Sequence, residues 1–262
     1  MFKLSFNTYT SKDAKENTYW RSSLLVTFDA PVTFLCAGDQ VCLNDQYSIG
    51  NQCINHSFDS AAIKTLKNET LDDWLSVELA SLKGKCPTVL TAVHAEKYHC
   101  VSEVVSGDFK VSAITTAGIK SNAVNVYHDR KLEADAANGK EDKENKGAEI
   151  GTINIVLCIN VPLTETAMAQ ALGIVYESKA SLFYDNNWKS AYSDNIATGT
   201  GTDSVIIASS INADTGVDTD AGIDSNVKKV NYTGSHSVIA GMISEVVRSS
   251  IECSVKKSGG QS

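Results

Sequence analysis

The sequence predicts an α+β layered sandwich, β-rich in its N-terminal half and carrying two long helices in its C-terminal half. Three observations predict it. Apolar runs of strand length fall in groups joined by short turns. Stretches with helical periodicity stand in long separate blocks, whereas a doubly wound sheet would alternate strand and helix throughout. The chain has 262 residues, 42% of them hydrophobic and 21% charged, enough to bury a sizeable core without metals or disulfides. One domain over residues 1–262, without internal repeats, is the expectation.

Residues 23–36, SSLLVTFDAPVTFL, read as two short strands broken at Asp29-Ala30-Pro31. Residues 70–83 read as an amphipathic helix capped by Thr70, with Leu71, Trp74, Leu75, Leu79 and Leu82 on one stripe. TVLTAV at 88–93, YHCVSEVV at 98–105 and FKVSAITTA at 109–117 follow as neighbouring strands. Residues 128–149 hold twelve charged side chains in 22 positions and cannot bury enough surface to order themselves, so they read as a mobile surface loop. A domain boundary there is the alternative. INIVLCINV at 153–161 is continuously apolar, as a strand buried on both faces requires. Pro162 and Thr164 open a helix through about residue 184, SVIIAS at 204–209 is a second buried strand, and residues 235–255 form the last helix.

Charge and composition exclude several functions. The net charge of -8 repels phosphate backbones, so no nucleic-acid partner is expected. The N-terminus lacks the apolar core of a signal peptide, and no window is long and apolar enough to span a membrane. A cytoplasmic protein is expected, its seven cysteines reduced and its sequons at Asn55, Asn68 and Asn231 chance matches. No C-x-x-C or H-E-x-x-H motif occurs, so no metal site is expected. The Asp-rich stretch 211–226 does not follow the order of a calcium loop and reads as a solvated loop.

Four stretches could carry chemistry: TTAGIKSNA at 115–123, GTINIVLCINVPLT at 151–164, ATGTGTDSVIIA at 197–208 and YTGSHSVIAGMI at 232–243. Three are rich in Gly, Thr and Ser beside a strand, where small residues admit a ligand to the backbone and hydroxyls offer it donors. Each taken alone also fits a turn. TGTGTD is not a phosphate loop, because the G-K-[ST] ending is missing and a strand follows.

In this order the four stretches resemble the adenosylcobinamide amidohydrolase (CbiZ) family. Thr116, Ala117, Gly118, Asn122 and Ala123 match one motif, and Gly151 to Ile155 with Pro162 to Thr164 match a second. Ala197 to Asp203 match a third, and Tyr232, Gly234 and His236 a fourth. The resemblance covers residues 88–250 well and the N-terminal part, with Asn55-His56, more loosely. CLNDQYSIGN stands where the family has a Gly-Gly pair, which bears on substrate binding by the N-terminal part. The resemblance implies hydrolysis of the aminopropanol amide of adenosylcobinamide to adenosylcobyric acid, in corrinoid salvage for cobalamin synthesis. The cobalt corrinoid is then the substrate, and no separate cofactor is implied.

Gly151-Thr152 before an apolar strand and Pro162-Leu163 is similar, more distantly, to DmpA-type aminopeptidases and ornithine acetyltransferases, which have an αββα sandwich. That similarity implies Thr152 as nucleophile, freed by self-cleavage so that its α-amine serves as base, with Asn122 as oxyanion donor and Asp203 orienting the amine or the substrate. Thr116, Gly118, Asn154, Thr200, Thr202 and His236 are the implied substrate contacts. In an intact chain Asp203 or His236 would have to be the base. The alternatives stay open: a strand-start threonine, a turn asparagine, a capping aspartate and a helix-start histidine. So do a corrinoid carrier that has lost catalysis, and a peptidase or acyltransferase.

Overall fold

The computed structural model describes residues 2–12, 18–37, 46–54, 88–91, 93–129, 151–210 and 229–259. The expected helix at 70–83, the Asp-rich stretch 211–226, Asn55-His56 and the charged segment from residue 130 onward lie outside them.

Among the described residues there are ten strands: β1 (Phe2–Lys12), β2 (Thr18–Ala37), β3 (Gln46–Ile54), β4 (Thr88–Thr91), β5 (Cys100–Ser106), β6 (Phe109–Ala117), β7 (Ala123–Val124), β8 (Ile153–Ile159), β9 (Gly199–Thr200) and β10 (Ser204–Ser210). Helices α1 (Ala95–Tyr98), α2 (Glu165–Asp185) and α3 (Val238–Lys257) accompany them, with a further helical turn at 126–129. The main sheet runs β4-β3-β2-β10-β8-β6-β5, with β1 on β2, and β7 and β9 form a separate ribbon. β10 lies parallel to β8 and antiparallel to β2. The fold is α+β.

The expected break in residues 23–36 does not occur. β2 continues through Asp29-Ala30-Pro31, and only its register against β3 shifts, between Thr27 and Val32. Proline removes one ladder donor without forcing the chain out of the extended region, so Pro31 sits at a bulge rather than ending the strand. The segment after Thr91 differs too: residues 95–98 close one helical turn before β5 starts at Cys100.

The two faces of β8 explain its continuous apolar run. Ile153, Ile155, Leu157 and Ile159 point to the layer formed by α2 and α3. Val156 and Cys158 point the other way, toward Leu24, Val26, Phe28 and Phe34 of β2. β4 touches β8 although three strands separate them in the sheet, so the sheet curls over its own face and supplies a second β layer. Each buried Ile or Leu contributes about 1.5–3 kcal/mol, which makes this two-faced core the main stabilising term.

Thr164 caps α2 by accepting from the Ala167 N–H, and Ser237 caps α3 by accepting from Ala240. The end of α3 is bolted to the sheet: the Ala117 N–H donates to Ser254 Oγ (2.7 Å), Ser254 Oγ to the Tyr98 carbonyl (2.6 Å), and Ser258 Oγ to the Ala117 carbonyl (3.0 Å). Beside these bonds Cys100 and Cys253 form a disulfide, 153 residues apart in sequence with Cα atoms 6.0 Å apart. This corrects the expectation of seven reduced thiols. The spacing test looked for close pairs, whereas packing of α3 on β5 brings distant cysteines together. Burial pushes the Cys158 thiol, which is in no disulfide, far above its ordinary value.

A second clasp holds the segment after β7. Asp129, itself buried, accepts from the Asn125 N–H (2.7 Å), Ser190 Oγ (2.6 Å) and Ser193 Oγ (2.6 Å). Burial opposes its charge, but the Ser190, Ser193 and Asn125 donors together outweigh it and hold the carboxyl below the usual carboxylate range.

Two stability predictions follow from these clasps. Reducing the disulfide should lower stability by about 2–4 kcal/mol, and Cys253→Ser should lower the sensitivity of thermal unfolding to reductant. Because the folded-state pKa of Asp129 is depressed, its contribution is present above the unfolded value of about 4 and is lost as pH falls through the folded value. Asp129→Asn should therefore melt below wild type at pH 7, with the gap closing only below about pH 4, as followed by thermal denaturation across a pH series.

Candidate active site

Strand ends build the site. β6, β8 and β10 are register neighbours, with Thr116 opposite Asn154 and Asn154 opposite Ser204. The loops leaving β6 and entering β8 and β10 therefore meet at one end of the sheet. The β7–β9 ribbon pairs Ala123 with Thr200 and aligns Asn122 with Gly201, whose N–H donates to the Asn122 carbonyl (3.1 Å).

Two glycines set the spacing. The Gly118 N–H donates to the Thr152 carbonyl (3.0 Å), and a Cβ on Gly151 would overlap the Gly118 carbonyl. A Cβ on Gly118 would lie 2.8 Å from the Val93 side chain. Gly151 thus lets the two chain segments touch backbone to backbone, a contact no larger residue permits there, while Gly118 leaves room for the Val93 side chain.

Hydroxyls and one amide form a short chain around Thr152. Asn122 Nδ2 donates to the Gly151 carbonyl (2.9 Å) and to Thr202 Oγ1 (3.3 Å). Thr202 Oγ1 donates to Thr152 Oγ1 (3.0 Å), and Thr152 Oγ1 donates to the Thr202 carbonyl (2.8 Å). Thr152 is buried at 3% exposure, whereas Thr202 and its bond to Asn122 face the exposed side of the site. Tyr192, an exposed residue at the rim, donates its OH to Asn122 Oδ1 (3.4 Å), consistent with the amide orientation that points Nδ2 at Gly151.

Asp203 lies beside this chain. Its Oδ1 accepts from the Ile153 N–H (3.0 Å) and the Thr200 hydroxyl. Its Oδ2 accepts from the Thr200 N–H (2.9 Å) and from Lys179 Nζ. Four donors occupy the capacity of an ionised carboxylate. Asp203 is therefore an anchor for backbone, and none of these four bonds reaches the Thr152 hydroxyl. The Asp203 and Lys179 side chains are 6% and 7% exposed. Burial, and then the charge of Asp203, push the Tyr176 phenol above its ordinary value, and its ring lies under Lys179 Nζ at 4.6 Å.

The structure brings Asn122, Gly118, Thr152, Thr200, Thr202 and Asp203 together. Thr116 and Asn154, both buried, stand side by side across the β6–β8 ladder. They share the face of Ile114 and Val156, inside the sheet-on-sheet layer rather than on the helix side. His236 is not brought to this end. It is exposed and precedes α3, whereas the site end of α3 is Ser254, bonded to Ala117. From Val238 to Ser254 the helix alone rises about 24 Å, which keeps the two well apart. The surrounding Y-x-G-x-H stretch instead locks the start of α2: Thr233 N–H donates to Gln170 Oε1 (3.0 Å), and Thr233 Oγ1 to the Ala167 carbonyl (2.5 Å). His94 occupies the N-cap position of α1 without a side-chain capping bond, and His99 Nδ1 meets the Ala95 and Glu96 carbonyls. Burial, reinforced by Lys97, holds the His94 imidazolium below the usual histidine range.

Lys179 and Tyr192 were not legible as site residues in the sequence. Lys179 did leave a trace, since it falls on the buried stripe of α2 with Ala171, Val175 and Leu182. A charge on an apolar helix face asks for a buried partner. Tyr192 sits in an irregular loop and carries no such signal. Among the described residues no three histidine, cysteine or carboxylate side chains converge as metal ligands, and no helix is long and apolar enough to cross a membrane.

Comparison with known proteins places this geometry in context. The uncharacterized protein MJ1613 of Methanocaldococcus jannaschii is 35% identical over 156 residues, which cover 57% of this chain and 55% of that protein. Among solved structures, the PH0078 protein from Pyrococcus horikoshii OT3 aligns with 97% of this chain and 84% of its own, with a TM-score of 0.45 and 11% identity. A Burkholderia sp. beta-aminopeptidase aligns over the same shares with a TM-score of 0.44 and 12% identity. Residues 6–262 match the profile described as adenosylcobinamide amidohydrolase. With that match spanning nearly its whole length, the chain belongs to the adenosylcobinamide amidohydrolase (CbiZ) family.

Proposed function

We propose that this protein hydrolyses the amide between the corrinoid propionate and aminopropanol in adenosylcobinamide. The products are adenosylcobyric acid and aminopropanol, which returns scavenged corrinoid to cobalamin synthesis. Family membership supports the substrate class. One observation carries the chemistry: a buried threonine hydroxyl and an amide N–H₂ converge on the same few ångströms of backbone at Gly151-Thr152.

In this reading Thr152 Oγ1 is the nucleophile and Asn122 Nδ2 the oxyanion donor. A threonine hydroxyl needs a base. Asp203 does not supply one, because its acceptor positions are filled, and His236 lies at the far end of α3. The remaining base is the α-amine of Thr152 itself, which requires cleavage of the Gly151–Thr152 bond. Asn122 Nδ2 already donates to the carbonyl oxygen of that bond, the position where negative charge would develop if Thr152 Oγ1 attacked its carbon. The attack would break the C–N bond and leave Gly151 esterified to Thr152 Oγ1 with the amine free. Water would then hydrolyse the ester to a Gly151 carboxylate and restore the hydroxyl.

The freed amine, with a reference pKa of about 8, would then take the Thr152 proton as Oγ1 attacks the substrate carbonyl. The same proton would pass to the departing aminopropanol nitrogen. The acyl-enzyme would be hydrolysed by water to release adenosylcobyric acid.

Incubation of the purified protein with adenosylcobinamide should yield adenosylcobyric acid by chromatography. A bound corrinoid that stays unchanged would replace this reading with a carrier. Thr152→Ala should abolish turnover while leaving corrinoid binding nearly intact, and Asn122→Ala should cut kcat by about 10²–10³. Intact-mass measurement should find the chain divided between Gly151 and Thr152 in wild type and whole in Thr152→Ala.

A further inference from the structure

Lys179 is a buried ammonium on a helix face that is otherwise packed against the core. A buried ion pair seldom stabilises a fold more than a well-packed apolar pair of the same volume, so stability alone does not account for it. Its position gives a better account. The other three donors to Asp203 come from the strand ends the carboxylate joins, Ile153 and Thr200. Among the described residues Lys179 alone reaches Asp203 from the helix layer. It therefore fixes the carboxylate from outside the loops that carry the reacting groups. Oδ1, the oxygen not bonded to Lys179, holds the N–H of Ile153, the residue directly after Thr152. Gly199 keeps the approach open, since a Cβ there would lie 2.6 Å from Lys179 Nζ.

We propose that Lys179 is a positioning residue for chemistry at Thr152. By pinning Asp203 Oδ2 it sets the plane of the carboxylate, and through Oδ1 it holds the Thr152–Ile153 peptide. The neighbouring Thr202, which brackets the Thr152 hydroxyl with its own hydroxyl and carbonyl, is held by the same anchor. The proposal rests on Thr152 being the nucleophile.

Full-length Lys179→Met and Lys179→Arg are compared with wild type. A displacement of the reacting group by about 1 Å costs on the order of 100-fold in rate. Lys179→Met should therefore lose about 100-fold in kcat with KM within about threefold, and Lys179→Arg, which keeps the charge, should recover at least about tenfold of that loss. Amide hydrogen exchange without substrate supplies a readout independent of activity. Ile153 and Thr200 should exchange at least about 100-fold faster in Lys179→Met, while Ile207 in β10 and Val246 in α3 stay within about threefold. If Lys179→Met does not fold, Lys179→Gln, which keeps a donor toward Oδ2 and leaves Asp203 unchanged, carries the same expectation in direction. Unchanged kcat and unchanged Ile153 exchange, a change in KM alone, or a uniform loss of protection across the fold would overturn the proposal. Should wild type fail to hydrolyse adenosylcobinamide, the functional reading falls, and the exchange pattern still decides whether Lys179 holds this peptide.

Discussion

A single buried anion organises the active end of this protein. Asp203 stands at the start of β10 and gathers donors from the start of β8, from β9 and from α2. Withdrawing a carboxylate from water is costly unless its lone pairs are filled and its charge is balanced. Both conditions are met here by groups from three separate elements, so the anion can be buried only when those elements are in place. Loss of either member of such a pair costs on the order of 3–5 kcal/mol, because the other charge stays buried alone. The positions of Thr152 and Thr202 follow from that constraint, since each adjoins a residue the carboxylate holds.

Close backbone contact between Gly118 and Gly151 is the second constraint, and it acts on the same point from the opposite side. Asp203 grips the chain just after Thr152, while Gly118 grips Thr152 itself through its carbonyl. Thr152 is thus held between two backbone anchors and has little freedom to move. Behind Gly118, the hydroxyls of Ser254 and Ser258 tie α3 to the end of β6, and the Cys100–Cys253 disulfide ties it to the start of β5. The helix layer therefore supports the site twice, through Lys179 on α2 and through the last turns of α3.

Much of the fold was legible because its signals are local. The apolar run of β8, the Thr164 cap, the stripe on α3 and the hydroxyl-rich turn before β10 each depend on neighbours within a few residues. Reading failed where the outcome depended on a distant partner. Pro31 looks like a strand break locally, but a bulge absorbs it because β10 pairs with the residues that follow. His236 looks like a site residue by its place in a motif, yet α3 carries it to the far end of the molecule. The motif around it serves to bolt α2 in place through Thr233.

By itself the sequence determined the fold class, the strand and helix order of the second half, and three of the stretches whose residues Asn122, Thr152, Thr202 and Asp203 meet at one end of the sheet. Each of those rests on periodicity, capping or composition within a short window, and the chain carries that information directly. Only the tertiary structure decided what the residues do to one another. It turned Asp203 into a saturated anchor instead of a free base, recruited Lys179 from the middle of a helix, and joined cysteines 153 residues apart. Hydrogen bonds and ion pairs reach only about 3–4 Å. Whether two groups separated along the chain come that close is set by how the layers pack.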